Sequence, residues 1–120
     1  ICVKVLTFTL LFMENVKISI LLATYGNLLT DKQKEMMTLY YDCDLSLGEI
    51  AEQFEITRQA ARDSIKRGED SLVQYEQKLG FVSRSDKINR FVNQLKKARA
   101  DRNDQEEDKI IESLVDLVED

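Results

Sequence analysis

Residues 47–61 read LGEIAEQFEITRQAA, and the spacing of small, apolar and capping residues in this stretch predicts a corner between two helices. Ala51 supplies the small side chain that two helices need where they cross closely. Ile56, five residues further on, is apolar and fills the turn, while Thr57 is suited to cap the helix that follows. Three independent requirements met at these distances are typical of a helix-turn-helix.

The corner also needs a core, and apolar residues at helical spacing supply it. Ile50 and Phe54 lie one turn apart on the first helix, and Ala61 and Ile65 form the inner face of the second. The predicted core is Ile50, Ala51, Phe54, Ile56, Ala61 and Ile65. Glu55 stands at a turn position that favours a left-handed backbone, which costs a non-glycine residue about 1 kcal/mol. A generic helical hairpin is the alternative interpretation of this spacing.

The composition of the whole chain predicts an all-α fold. Its 120 residues include no proline and only four glycines, so few residues interrupt a helix. Leu, Glu, Lys, Gln and Ala, which favour helices, are abundant. A chain of this length fits one small domain with a short appendage.

Capping signals and apolar periodicity place six helices along the chain. The predicted starts are Met13, Thr30, Ser46, Thr57, Ser83 or Ser85, and Asn103. The first helix ends near Gly26, the third at Phe54 and the fourth at Leu79. Thr30 with Gln33 and Ser46 with Glu49 form capping boxes, and Asn103 with Glu106 caps the last helix. Gly80 is expected to end the fourth helix in the left-handed conformation. That helix is about 33 Å long at about 1.5 Å per residue.

The first twelve residues, ICVKVLTFTLLF, are apolar and unlike the rest of the chain. They lack the pattern of a secretory signal and are too short to span a bilayer, so stable membrane insertion is not expected. We interpret residues 1–12 as an N-terminal extension or a misassigned start, with an extra helix or a membrane-contacting arm as the alternative. Residues 13–80 form the predicted helix-turn-helix domain, and residues 81–120 a helical C-terminal segment.

The net charge of −5 argues against indiscriminate binding to polyanions, yet the charge is unevenly distributed. Cations cluster at 58–67 and 84–102, whereas the chain is strongly acidic from Asp104 onward. Cys2 and Cys43 show no metal-binding or disulfide pattern, so the cytoplasm is the simplest compartment. The sequence contains no histidine, Gly-rich phosphate loop or nucleophile–base motif. We therefore predict no enzyme activity, no metal and no cofactor.

The helix after Thr57 begins with a candidate nucleic-acid-binding surface, because such motifs contact base edges through the N-terminal part of their second helix. The predicted contact residues are Arg58, Gln59, Arg62, Asp63, Lys66 and Arg67. Arginine suits guanine and glutamine suits adenine, while the later cations suit phosphates. Asp63 and the acidic residues before the corner oppose this interpretation. The alternative is a solvated face or a protein contact.

A seam of residues continues along the same helix at steps of three and four. Its members are Ile65, Gly68, Leu72, Tyr75 and Leu79. Such a seam suits a coiled-coil contact in a homodimer. Packing on the first and last helices of the same chain is at least as good an interpretation, and Gly68 predicts a close helix approach in either case. The basic stretch 84–102 could bind nucleic acid or pair with the acidic tail.

Five motifs follow one another at characteristic distances. They are LLTDKQ at 28–33, LYY at 39–41, SLGEIAE at 46–52, TRQA at 57–60 and DSIKR at 63–67. In these motifs the chain resembles the YlxM family, small bacterial helix-turn-helix proteins that are similar to region four of RNA polymerase sigma factors. Ala61 and Arg62 depart from the Val-Tyr pair expected after TRQA, so a base preference does not transfer from the family.

The resemblance implies a cytoplasmic, DNA-binding or regulatory protein that acts in the signal recognition particle pathway. An alternative is a protein- or RNA-binding accessory of the particle that does not bind DNA sequence-specifically. The expected partners are therefore DNA, the protein or RNA of the particle and, from the seam, a second copy of the chain.

Overall fold

The computed structural model of the chain describes residues 2–119, with side chains from residue 14 onward. Over this range the chain forms six α-helices and no strand, which confirms the predicted all-α fold. The helices are α1 (Cys2–Tyr25), α2 (Asp31–Tyr41), α3 (Leu47–Gln53), α4 (Arg58–Leu79), α5 (Phe81–Ala100) and α6 (Asp104–Glu119), with a 3-10 turn at Gly26–Leu28. None of the helices described is long and apolar enough to cross a bilayer.

Helix α1 begins earlier than the sequence predicted, at Cys2 rather than at Met13. Residues 2–12 contain no glycine or proline, so nothing interrupts the helical backbone there. The side chains of residues 1–13 lie outside the described part of the structure. The assignment of residues 1–12 as an extension stays a prediction.

Helix α5 also begins earlier than predicted, at Phe81 rather than at Ser83 or Ser85. Gly80 adopts the predicted left-handed conformation, with a φ of 62°. Its N–H donates to the carbonyl oxygen of Glu76 at 2.8 Å, which ends α4 within a single residue. The next helix therefore starts without a longer linker.

Side-chain caps define the starts of α3 and α4 as predicted. The Ser46 hydroxyl accepts a hydrogen bond from the N–H of Glu49 at 3.1 Å, and the Glu49 carboxylate accepts one from the N–H of Ser46. The Thr57 hydroxyl accepts from the N–H of Ala60 at 3.0 Å. Each cap satisfies a backbone donor that the first helical turn leaves unpaired, so the two helices have fixed starting points.

The predicted capping box at the start of α2 is only half formed. The Thr30 hydroxyl accepts from the N–H of Gln33 at 3.2 Å, as expected. The side-chain amide of Gln33 does not return the bond; it donates instead to the backbone carbonyl of Ser64 in α4, at 3.2 Å. Gln33 therefore links two helices because α4 passes close to the first turn of α2.

The chain divides into two compact units, the first ending at Gly80 and the second beginning at Phe81. In the first unit, α1, α2 and α3 all pack against α4. The largest fully buried side chains are Met37, Ile50 and Leu72. Burying a side chain of this size contributes about 1.5–3 kcal/mol. The core thus lies where α1, α2 and α3 meet α4.

Gly68 lies where α2 crosses α4. A Cβ atom at this position would lie 2.3 Å from the sulfur of Met37 and 3.3 Å from Cγ of Gln33. A larger residue here would therefore force the buried Met37 side chain to move. This contact confirms the predicted close approach of another helix at Gly68.

The second unit is an antiparallel hairpin of α5 and α6, with Ala98 and Ile110 buried. At its turn, the side-chain carbonyl of Asn103 accepts from the N–H of Glu106 at 3.2 Å and caps α6 as predicted. At the other end, the Arg84 guanidinium donates to the backbone carbonyl of Leu117 at 2.7 Å. The contact between Arg84 and Leu117 places the start of α5 beside the end of α6.

Candidate nucleic-acid interface

The turn between α3 and α4 sets the direction in which α4 leaves the corner. The N–H of Ile56 donates to the carbonyl of Ala51 at 2.9 Å and closes the turn. Glu55 has a φ of 56°, so the left-handed backbone expected here is present although the residue is not glycine. Thr57 then caps α4, and the two helices form a helix-turn-helix corner.

The predicted core of the corner is mostly enclosed. Ile50, Ala51, Ala61 and Ile65 are buried. Phe54 and Ile56 are only half-buried, because both lie at the end of α3 and in the turn, where fewer neighbours surround them. The corner therefore holds its angle mainly through the four buried residues.

The six predicted nucleic-acid-binding residues are all exposed on the first three turns of α4. Residues 58, 62 and 66 form one row, and residues 59, 63 and 67 form the row beside it. Among the described side chains, no carboxylate lies within 4.0 Å of Arg58, Arg62 or Arg67. These guanidinium groups therefore keep their charge available for a ligand.

The remaining polar residues of the two rows have partners on the helix. The Gln59 amide donates to the Asp63 carboxylate at 2.9 Å, which orients both groups. The Lys66 ammonium lies 3.7 Å from a carboxylate oxygen of Asp70 and 3.8 Å from one of Glu69. Ion pairs as exposed as these contribute about 0–1 kcal/mol, so an arriving phosphate can replace them at little cost.

Gly48 accommodates one of the exposed arginines, which the sequence pattern did not reveal. A Cβ atom on Gly48 would lie 2.9 Å from Nη2 and 3.0 Å from Nε of Arg58. The Arg58 side chain therefore lies against the start of α3. The only signal in the sequence is a glycine inside a short helix, a residue that ordinarily weakens a helix.

Glu69 is an acidic residue of α4 that follows directly after the two rows of exposed residues. Its carboxylate accepts a hydrogen bond from the Tyr41 hydroxyl, which joins the end of α2 to α4. Burial raises the pKa of the Glu69 carboxyl, and the negative charges of Asp70 and Glu14 raise it further. The sequence did not predict a contact between Tyr41 and Glu69, because that contact depends on how α2 crosses α4.

The raised pKa of Glu69 predicts a pH-dependent effect of removing its charge. At pH values between the ordinary pKa of the unfolded state and the raised pKa of the folded state, Glu69 carries a proton more often in the folded state. The contribution of Glu69 to the free energy of unfolding therefore falls as pH rises through this range. In Glu69→Gln, which keeps an acceptor for Tyr41, stability relative to wild type should increase from pH 4 to pH 7. Urea unfolding at both pH values measures this difference. Glu52→Gln, at an exposed site on α3, is the control, and an unchanging difference for Glu69→Gln would contradict the assignment.

The predicted seam along α4 is largely filled within the chain. Ile65, Gly68 and Leu72 are buried, and the ring of half-buried Tyr75 lies 6.1 Å from that of Tyr25 in α1. Leu79 is exposed. The buried part of the seam packs on α1, as the sequence suggested, and also on α2, because α2 crosses α4 at Gly68. These buried residues leave little of the seam for a second chain.

The corner, its caps and the helix that follows define a helix-turn-helix protein. Residues 12–113 match the sequence profile of the family UPF0122, which is described as "Putative helix-turn-helix protein, YlxM / p13 like". The chain belongs to this family, and the resemblance to YlxM is confirmed. The family is described by its helix-turn-helix and not by an enzyme activity.

Relatives from three bacteria show the extent of the similarity. The chain is 44% identical to the UPF0122 protein YlxM of Bacillus subtilis over 95 residues, which cover 79% of this chain and 84% of YlxM. A UPF0122 protein of Halalkalibacterium halodurans is 45% identical over 85 residues, 71% of this chain and 78% of the relative. A UPF0122 protein of Desulforamulus reducens is 56% identical over 68 residues, and this match spans 57% of this chain and 58% of the relative.

Proposed function

We propose that the protein is a cytoplasmic DNA-binding regulator that inserts the first turns of α4 into the major groove of duplex DNA. The observation that carries this proposal is the exposure of Arg58, Arg62 and Arg67 on the first turns of α4, where no described carboxylate forms an ion pair with them. In helix-turn-helix proteins this part of the second helix contacts base edges.

The residue types on α4 suit both kinds of DNA contact. Arg62 is able to bind guanine bidentately, and the paired Gln59 and Asp63 can contact adenine or the amino group of cytosine. Lys66 and Arg67, one turn further on, are placed for phosphates. Arg62, the exposed member of the pair that departs from the family, gives this chain its own residue on the contact surface.

The charge of the protein sets the expected salt dependence. Four cations on α4 can contact phosphates, so the logarithm of the association constant should fall against the logarithm of salt concentration with a slope of about −3 to −4. A protein of net charge −5 has no large positive field to add to this. Binding should therefore be weak and non-specific unless base contacts contribute.

Selection from a random duplex library at low salt tests the proposal. We expect the protein to enrich one family of related sequences, and a selected duplex to bind at least about tenfold more tightly than a scrambled duplex of equal length. Recovery of unselected sequences, or equal affinity for both duplexes, would contradict a sequence-selective function.

A second candidate is an accessory factor of the signal recognition particle that binds its protein or RNA. The resemblance to YlxM supports it, as do the exposed cations of α5, of which Lys87, Lys96, Lys97 and Arg99 have no ion pair among the described residues. A pull-down from lysate, with and without nuclease, separates the candidates. Capture of the particle's protein after nuclease treatment would support this second function, and capture of duplex DNA alone would support the first.

A further inference from the structure

The α5–α6 hairpin leaves apolar side chains uncovered on both of its helices. Val92 on α5 is 36% exposed, and Ile111, Val115 and Val118 on α6 are 47%, 46% and 69% exposed. On α6 the three residues recur at intervals of four and three, so they form one stripe. On α5, Val92 lies in a row with half-buried residues 88 and 95 at the same intervals.

These two rows lie on the same side of the hairpin. In each row an exposed residue comes directly after a side chain that faces the other helix: Val92 follows half-buried Phe91, and Ile111 follows buried Ile110. One residue is a rotation of about 100° in the winding direction of a right-handed helix. Because α5 and α6 run antiparallel, this rotation turns both rows to one side. We call the resulting surface the hairpin face.

The hairpin face has a basic edge and an acidic edge. On α5, Lys96 lies one turn after Val92, on the side of the row farther from α6, and places a positive charge there. On α6, Asp108 and Glu112 stand one turn apart on the outer side of Ile111 and Val115. Among the described side chains, no ion pair joins α5 to α6. The predicted pairing of the basic stretch with the acidic tail therefore does not neutralise either edge.

We propose that the hairpin face binds the same face of a second copy of this chain, so that two hairpins form an antiparallel four-helix bundle. An apolar stripe on each of two helices is the surface that such bundles bury. A second copy supplies both the apolar area and the opposite charges from the same set of residues, as a two-fold interface requires. This interface is distinct from the seam on α4, which the chain fills itself.

The charges on the two edges select the orientation of the copies. A two-fold axis parallel to the helices places α5 of one copy across from α6 of the other, so that the basic edge meets the acidic edge. An axis perpendicular to the helices places α5 on α5 and sets like charges together. Arg84 contacts Leu117, so counting along both helices puts Lys96 about 5 Å along the axis from Asp108. The first orientation therefore brings Lys96 within reach of Asp108 of the second copy.

Sedimentation velocity of the full chain tests the interface. We expect wild type to sediment with twice the 13.9 kDa mass of the chain. Val115→Glu places two unpaired charges in the centre of the bundle and should weaken the dimer at least about hundredfold. Gln94→Glu adds the same charge about 200° around α5 from Val92, on the side turned away from the face, and should leave the dimer unchanged. Far-UV circular dichroism of each variant confirms that the helices are retained.

A charge exchange tests the orientation and does not depend on the apolar substitution. Lys96→Glu should weaken the dimer about tenfold, and the further change Asp108→Lys should restore the wild-type affinity. A wild-type chain that stays monomeric at about 100 μM, or a dimer that Val115→Glu leaves intact, would overturn the proposal. Failure of the exchange to restore affinity would overturn the orientation. None of these measurements uses DNA, so they succeed or fail independently of the proposed function.

Discussion

Reversing the charges of Arg58 and Arg62 is expected to abolish selective binding to duplex DNA. The two arginines lie one turn apart on the exposed side of α4, and neither has a carboxylate within 4.0 Å among the described side chains. A good arginine–base pair discriminates by about 1–3 kcal/mol, so losing two such contacts and adding repulsion should reduce affinity by at least about a hundredfold. Fluorescence anisotropy with a selected duplex measures the loss.

A matched variant separates this effect from a change of net charge. Lys87→Glu with Lys97→Glu alters the charge of the protein equally but does so on α5. If the recognition surface is on α4, this variant should bind the selected duplex within about twofold of wild type. If instead the α5 variant loses binding and the α4 variant keeps it, α5 is the binding helix and our proposal is wrong. Neither variant changes a buried side chain, so both should fold.

Replacing Gly68 by alanine is expected to destabilise the first unit, although alanine is the better helix former. The added methyl group would lie 2.3 Å from the sulfur of Met37, a side chain with no exposed surface. Overpacking of this kind typically costs about 1–3 kcal/mol, which should exceed the gain of about 1 kcal/mol in helix propensity. Urea unfolding followed by circular dichroism measures the net loss.

A double-mutant cycle with Met37→Ala identifies the cause of that loss. Met37→Ala alone should cost about 2–5 kcal/mol because it leaves a cavity. In the double variant the alanine at position 68 has room, so its own cost should disappear. The double variant should therefore lose less unfolding free energy than the sum of the losses in the two single variants. Additive effects would show that Gly68 is required for some reason other than its contact with Met37.

The local features of this fold were predictable from the sequence because they depend on neighbouring residues. The capping box from Ser46 to Glu49, the Thr57 cap and the left-handed Gly80 each involve residues within a few positions of one another. The exposed rows on α4 follow from helical periodicity in the same way. These local signals are sufficient to predict the corner and the candidate interface.

Features that depend on contacts between distant segments were predicted less well. The Gln33 side chain could either complete a local capping box or bond to another helix, and only the position of Ser64 decides between them. The seam on α4 showed that a helix would pack there but not which helix. Tyr41 and Glu69 meet because α2 crosses α4, and no spacing along the chain reveals a contact over 28 residues.

Gly48 has a consequence for how the protein prepares for a ligand. Its missing side chain leaves the space in which the Arg58 guanidinium rests against α3. A Cβ atom at position 48 would take part of this space and displace the guanidinium. Position 48 thus sets the room available to a predicted contact residue while having no side chain of its own to present. The conformational freedom of Arg58 is governed from a helix that precedes it in the chain.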